Sequence, residues 1–297
     1  MLDVIAFGET MIELTMTDGG SADVGVAGDT FNTAVYLKRS APDLSVGYAT
    51  RLGTDPMSDR IAAAMSREDL DLHLTIRGDG LPGLYAISTD GEGERSFHYW
   101  RGTSAARRVL GSGGLALEDL AKAKVLYLSA ISIAILPEDD RIRLLEWLPE
   151  ARDNGLRIAF DSNYRPALWP DLETAQHAVS TVWQATDIGL PSIDDEMMLF
   201  GDETEHAVVA RLQDWGVKTG AMKRGADGPR NLKGGTPPVC PKVANVVDST
   251  AAGDSFNGGY LAALLSGKDE DAAMLAGHAL ASRVIGKRGA IIPREAS

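Results

Sequence analysis

Val246-Val-Asp-Ser-Thr-Ala-Ala-Gly-Asp-Ser-Phe-Asn-Gly-Gly-Tyr260 is the stretch whose reading decides the fold. Its apolar pair Val246-Val247 reads as the end of a strand and the small residues after it as a turn. Phe256, Tyr260 and Leu264 then fall at i, i+4 and i+8, one stripe of an amphipathic helix that stops at Gly267. Ala251-Ala252-Gly253 therefore sits at a helix N-terminus, where unpaired N–H groups and the positive end of the helix dipole favour an anion. Small side chains let an oxygen come close to that backbone, and Asp254 follows in the first turn. A carboxylate beside such a cradle can take a proton from a hydroxyl while the cradle holds charge developing on a phosphoryl group. The same residues equally suit a first-turn acid that matches the dipole, with small neighbours for packing.

Around this stretch, the chain is long enough for a full core. Its 297 residues, 44% hydrophobic and 24% charged, suit one large globular domain, alone or with a small appendage. A formal net charge of -13 argues against a general grip on nucleic acid or on anionic membranes. Small anions remain open, since they need only a local cationic pocket. The single cysteine, Cys240, leaves no intrachain disulfide and no Cys-based metal site. No basic stretch followed by an apolar run opens the chain, and residues 126–136 are too short and interrupted to span a bilayer. A cytoplasmic protein is expected.

Strand and helix patterns alternate over most of the length, which predicts a three-layer α/β/α sandwich with a mainly parallel central sheet. Strands are read at residues 4–8, 45–49, 72–76, 125–129, 157–160, 186–190 and 217–222. Ala27-Gly-Asp-Thr-Phe-Asn32 opens a helix that Asp29 or Thr30 can cap; Gly28 lets a ligand near the backbone, and Asp29 and Asn32 offer polar side chains. Residues 83–101 read as a hairpin turning at Asp90 to Gly93. Period two puts Phe97, Tyr99 and Arg101 on one face, and Tyr85 and Ile87 on one face of the partner strand. That aromatic face suits a sheet packed on a core and equally a lid over a sugar, with the guanidinium reaching a carboxylate. Asp161, Asn163 and Arg165 leave the carboxyl end of a strand, where open α/β sheets bind ligands. A surface arginine before a proline also accounts for Arg165.

Asp248-Ser-Thr-Ala-Ala-Gly-Asp254 resembles the D-T-T-G-A-G-D signature of ribokinase-like (PfkB) carbohydrate kinases, with Ala251 where most members have glycine. The variant is most similar to the branch acting on 2-keto-3-deoxygluconate (KDG). Further segments resemble that branch in the family's order along essentially the whole chain. Residues 27–32 are similar to its G-G-D-T-x-N loop, with Ala27 for the first glycine, and residues 99–105 to Y-x-R-x-x-S-A. Residues 161–169 are similar to D-x-N-Y-R-x-x-L-W, and 223–228 to the nucleotide turn K-x-G-x-x-G. Ser192 and Asp195 stand at the Asn and Glu of N-x-x-E, with Glu196 next to them.

The resemblance implies a single ribokinase-like domain over 1–297, with a small β lid from segments near 10–27 and 83–103, through which a homo-oligomer could form. It implies ATP and Mg²⁺ as cofactors and phosphorylation of KDG to its 6-phosphate. By the same resemblance Ala251, Ala252 and Gly253 form the anion hole and Asp254 is the base. Gly28, Asp29, Asn32, Tyr85, Tyr99, Arg101 and Arg165 would meet the sugar acid. Asn163, Ser192, Lys223, Gly225, Gly228 and His278 would meet the nucleotide, and Asp195 or Glu196 would order Mg²⁺ through water. Unaided, His278 reads as a surface or packing histidine. Another sugar kinase of the superfamily, or a non-catalytic sensor on the same fold, are the competing readings. A dinucleotide dehydrogenase is disfavoured, because no G-x-G-x-x-G follows the first strand.

Overall fold

The computed structural model describes residues 1–17, 20–89, 95–241, 243 and 245–294. Along the chain run β1 (Leu2–Phe7), β2 (Met11–Met16), β3 (Ala22–Ala27), α1 (Asp29–Ser40), β4 (Val46–Leu52), α2 (Pro56–Arg67), β5 (Thr75–Arg77), β6 (Leu84–Thr89) and β7 (Arg95–Trp100). Next come α3 (Leu117–Leu120), β8 (Ala123–Ser129), α4 (Ala130–Ala134), α5 (Glu138–Asp153), β9 (Arg157–Asp161), α6 (Leu172–Gln184) and β10 (Ile188–Gly189). The rest holds α7 (Ile193–Phe200), α8 (Glu205–Asp214), β11 (Thr219–Met222), β12 (Arg230–Asn231), α9 (Ala252–Leu265) and α10 (Glu270–Ile285).

Among the described residues one sheet has the order β12-β11-β10-β9-β8-β1-β4-β5, parallel throughout except at β11–β12. Its inner strands are apolar on both faces, as parallel strands covered by helices must be. In β1, Val4 and Ala6 face one apolar cluster while Ile5 and Phe7 face the other; in β8, Val125 and Tyr127 alternate in the same way with Leu126 and Leu128. Helices α5, α6 and α8 cover one face and α1, α2, α9 and α10 the other, which is the expected α/β/α sandwich. The chain leaves β1 towards α1 and leaves β8 towards α5, on opposite faces. A crevice therefore opens at the carboxyl ends of β1 and β8, the place where such sheets receive ligands.

A second sheet has the order β3-β2-β6-β7, with β2 and β6 parallel and the outer pairs antiparallel. Its inward residues Met11, Ala27, Tyr85 and Ile87 form their own apolar cluster. The expected turn at Asp90 to Gly93 lies outside the described residues, and Arg101 lies just past the end of β7.

Several local expectations need correction. Val246 and Val247 are not strand; both side chains are exposed, and the Val247 N–H donates to the Ile285 carbonyl, closing the C-terminus of α10 instead of a sheet. Helix α9 is not amphipathic: residues 255–262 are all buried, because α1 and α10 pack against it from two sides. Neither Asp29 nor Thr30 caps α1; Gly28 occupies the N-cap position, with no side-chain cap bond. Helices α6 and α8 were not foreseen, and the strand read at 186–190 is only Ile188–Gly189. Among the described residues no helix is long and apolar enough to cross a membrane.

Candidate active site

The N-terminus of α9 opens into the crevice. Ala251 is its N-cap, in the left-handed region at φ 60°, ψ 19°. A Cβ there crowds the following carbonyl and costs about 1–2 kcal/mol, so the small-residue turn keeps its shape against strain. The Ala252 N–H donates to the Ser249 carbonyl at 3.2 Å. Among the described residues the N–H groups of Ala251 and Gly253 have no acceptor within the chain. Of the three amides read as an anion hole, two are thus unengaged.

Asp254 Oδ2 accepts a hydrogen bond from Asn32 Nδ2 at 2.9 Å. Desolvation first, and then the nearby charges of Asp29 and Asp161, push the Asp254 carboxyl up to about 8, against the opposing effects of Asn32 and Lys223. Asn32 reaches this acid because α1 and α9 meet backbone to backbone. A Cβ on Gly258 would lie 2.7 Å from Tyr36 Cβ and 2.9 Å from the Leu37 nitrogen, so only glycine permits the approach. Gly28 is equally constrained: a Cβ there would stand 2.3 Å from the Glu9 carbonyl oxygen.

Asp29 Oδ2 accepts from Ser129 Oγ at 2.5 Å and from Asn163 Nδ2 at 2.9 Å. Asn163, assigned by resemblance to the nucleotide, therefore bonds to the loop assigned to the sugar. Tyr85 gives its hydroxyl to Glu13 and stacks on Tyr99, ring centroids 5.5 Å apart. Burial, with Glu13 adding to it, raises the Tyr85 hydroxyl far above its ordinary range.

The two arginines differ. Arg101 is buried and directs Nε and Nη2 at Glu9 Oε2, 2.8 and 2.5 Å away. Arg165 is half exposed, with Nη1 donating to the Tyr164 carbonyl at 2.8 Å and standing 3.4 Å from Asp195 Oδ1. The two acids of α7 differ as well. Glu196 is fully buried, accepting from Trp183 Nε1 at 3.1 Å and Arg211 Nη2 at 3.0 Å, and desolvation raises it to about 7. Asp195 stays on the crevice side, raised by desolvation and by Asp161 against the opposing pull of Arg165. No group of three or more His, Cys, Asp or Glu side chains that could hold a metal occurs among the described residues. A lone acid such as Asp195 fits a hydrated Mg²⁺ carried by phosphate oxygens, which needs only one or two carboxylates.

Ser192 heads α7, its N–H donating to Ser162 Oγ at 2.9 Å, and its backbone bridges to Lys223. After β11, Gly225 and Gly228 take positive φ (55° and 74°), and a Cβ on Gly225 would meet open space. An atom cluster can thus lie close to that turn. His278 stands 2.8 Å from the Pro241 carbonyl through Nε2, on α10. Sequence reasoning missed Glu9, Glu13, Ser129 and Asn257 as parts of this cluster. Only Asn257 had a signal: three residues after Asp254, it shares a helix face with it.

A helix N-terminus with free amides and an acid one residue on, at the switch point of a doubly wound sheet, is an arrangement suited to a phosphoryl-transferring enzyme of the sugar-kinase type. The chain belongs to the pfkB family carbohydrate kinases, which it matches over residues 1–297. It is 44% identical over 303 residues to the 2-dehydro-3-deoxygluconokinase of Escherichia coli (strain K12), covering 99% of this chain and 98% of that one. To the enzyme of the same name from Dickeya dadantii (strain 3937) it is 44% identical over 306 residues, again covering 99% and 98%. The crystal structure of a PfkB protein from Polaromonas sp. JS666 superposes with a TM-score of 0.82 at 27% identity, covering 97% of this chain and 96% of that one. Membership implies ATP as the phosphoryl donor and a small sugar as the acceptor.

Proposed function

We propose that this chain transfers the γ-phosphoryl group of ATP to the 6-hydroxyl of KDG, the substrate in the names of its relatives. The observation that carries the reading is Asp254 one residue past the unengaged Gly253 amide. In the reaction the Asp254 carboxylate takes the hydroxyl proton, the freed oxygen bonds to phosphorus, and the bond to the β-phosphate oxygen breaks to release ADP. Asn32 fixes the direction of the carboxylate. The Ala251 and Gly253 amides receive the charge that develops on the phosphoryl oxygens. Gly225 and Gly228 let the nucleotide lie against the turn after β11, with Ser192, Asn163 and His278 at its border. Asp195, rather than the buried Glu196, would hold a hydrated Mg²⁺ here, and the ion would supply neutralisation of phosphate charge.

The sheet β3-β2-β6-β7 serves as the lid of this single kinase domain and presents the Tyr85–Tyr99 stack to the sugar. Arg165 keeps donors for the sugar-acid carboxylate, while Arg101 acts with Glu9 at the lid's root. The 62% exposed Trp100 on β7 offers a surface for a homo-oligomer; Trp100→Asp should then lower the mass seen by sedimentation. The deciding experiment is an ATP-coupled assay with KDG, gluconate, fructose and ribose side by side. We expect KDG to exceed the neutral sugars at least about a hundredfold in kcat/KM, the scale of one to two well-made charged contacts. Equal use of fructose or ribose would overturn the sugar-acid reading.

A further inference from the structure

We infer that the side-chain ammonium of Lys223, held by Asp161 and Asn257, is a catalytic cation that faces the transferred phosphoryl group. This deepens the kinase reading and rests on it. Lys223 Nζ donates to Asp161 Oδ1 at 2.8 Å and to Asn257 Oδ1 at 3.2 Å. An ammonium has three donors, and the third has no acceptor among the described residues. Nζ lies 3.6 Å from where a Cβ on Gly253 would stand, so the charge sits against the amide end of α9. The side chain is only 12% exposed.

Both holders are themselves fixed. Asn257 Nδ2 donates to Asp161 Oδ2 at 2.6 Å and lies 3.1 Å from Tyr127 Oη, which in turn lies 3.1 Å from Thr33 Oγ1. Thr33 Oγ1 donates to the Asp254 carbonyl at 3.2 Å, closing the network on the helix that carries the acid. A lysine pinned at two of three donors has lost its usual freedom, and the remaining donor has one direction to point.

Charge balance supports the same role. Asp29 and Asp161 both lie close enough to act on Asp254, and a polyphosphate entering beside these acids meets net repulsion. Lys223 is the ammonium that offsets this at the point of transfer, and it acts on Asp254 itself in the direction of ionisation. Asp161 and Asn257 are positioning residues, working through Lys223.

The test compares wild type, Lys223→Ala and Asn257→Ala. For Lys223→Ala we expect kcat to fall about 10²–10³-fold, the usual loss on removing one donor at developing charge, with KM for ATP within about threefold. Added ethylammonium should restore part of kcat, and the acid limb of kcat/KM should move to higher pH. Asn257→Ala keeps the charge but frees it: kcat should drop about tenfold, with no recovery by ethylammonium. A binding arm stands apart from turnover. By calorimetry, wild type should hold a non-hydrolysable ATP analogue more tightly than ADP, and Lys223→Ala should erase that difference.

Because Lys223→Ala strands the Asp161 carboxylate, Lys223→Ala/Asp161→Asn is measured in the same arms if the single variant does not fold. The inference is overturned if kcat stays within about threefold, or if ATP-analogue and ADP binding weaken alike with no rescue. If wild type transfers nothing to KDG, the substrate reading fails, while the calorimetric arm still decides the role of Lys223.

Discussion

Asp254→Asn separates activity from stability in opposite directions. The substitution keeps the shape, and the new amide oxygen can still accept from Asn32 Nδ2, but the base is gone. Turnover should fall at least about 10²–10⁴-fold. The carboxyl is raised from 3.8 to about 8 in the folded chain. Between those values the folded protein holds a proton that the unfolded chain releases, so this group lowers stability as pH rises, by up to about 1.36 kcal/mol per unit. Local rearrangement around the ionised, desolvated carboxylate recovers part of that cost, which leaves an expected gain for the variant of about 2 kcal/mol at pH 8.5, or roughly 4–8 °C in Tm. The gain opens near pH 4 and levels off above about 8. Calorimetric melting at pH 5 and 8.5, with the coupled assay on the same samples, reads both effects. In wild type, kcat/KM should climb with pH through about 8. Near-normal turnover removes Asp254 as the base, and a variant that melts lower than wild type at pH 8.5 refutes the argument from desolvation and nearby acids.

Ala251→Gly releases a left-handed alanine, so Tm should rise by a few degrees, for about 1 kcal/mol, with turnover changed less than about threefold. Ala251→Pro cannot adopt φ near 60° and also deletes a donor; a loss of 10²-fold or more in kcat is expected, and an active proline variant would argue against this amide in the cradle. Arg101→Leu strands the buried Glu9 carboxylate and should destabilise by about 3–5 kcal/mol, visible as a lower urea midpoint. The half-exposed Arg165→Leu should leave the midpoint nearly unchanged and cut kcat/KM for KDG about ten- to a hundredfold, sparing neutral sugars. Asp195→Asn should raise the Mg²⁺ concentration needed for half-maximal activity, whereas Glu196→Gln, buried beneath the crevice where Arg211 keeps its second partner Asp202, should leave it alone.

The central sheet was legible because its strands are short, apolar on both faces and separated by helical spacing, as in residues 125–129 and 157–160. The motif at Asp248 to Asp254 was legible for a different reason: small residues and an acid at a helix start suit an anion cradle or a plain first turn alike, and the resemblance of the whole stretch to a family signature decided between them. What misled was local pattern without its surroundings. Val246-Val247 looks like strand, yet the N–H groups of Val247 and Asp248 find the Ile285 carbonyl at the end of α10, a partner far along the chain. Phe256, Tyr260 and Leu264 gave one stripe, but packing by α1 and α10 buries the other side too. Side-chain partnerships were the least visible. Nothing in the spacing of Glu9 and Arg101, or of Arg211 and Glu196, says that they will meet, because those pairs are set by where the backbone turns in space. A separate limit attaches to Asp195 and Glu196: adjacent acids on one helix point in different directions, and only the surrounding core decides which is swallowed.

The hydrogen bond from Asn32 to Asp254 joins residues 222 positions apart. During synthesis the substrate loop leaves the ribosome long before its acid exists, so a nascent chain carries no partial catalyst. A fragment that ends before α9 lacks Asp254 and should be inert, however well its sheet has formed. On the proposed role of Asp254, activity should appear only when the last two helices dock, so the site is completed by the final part of the chain to be made.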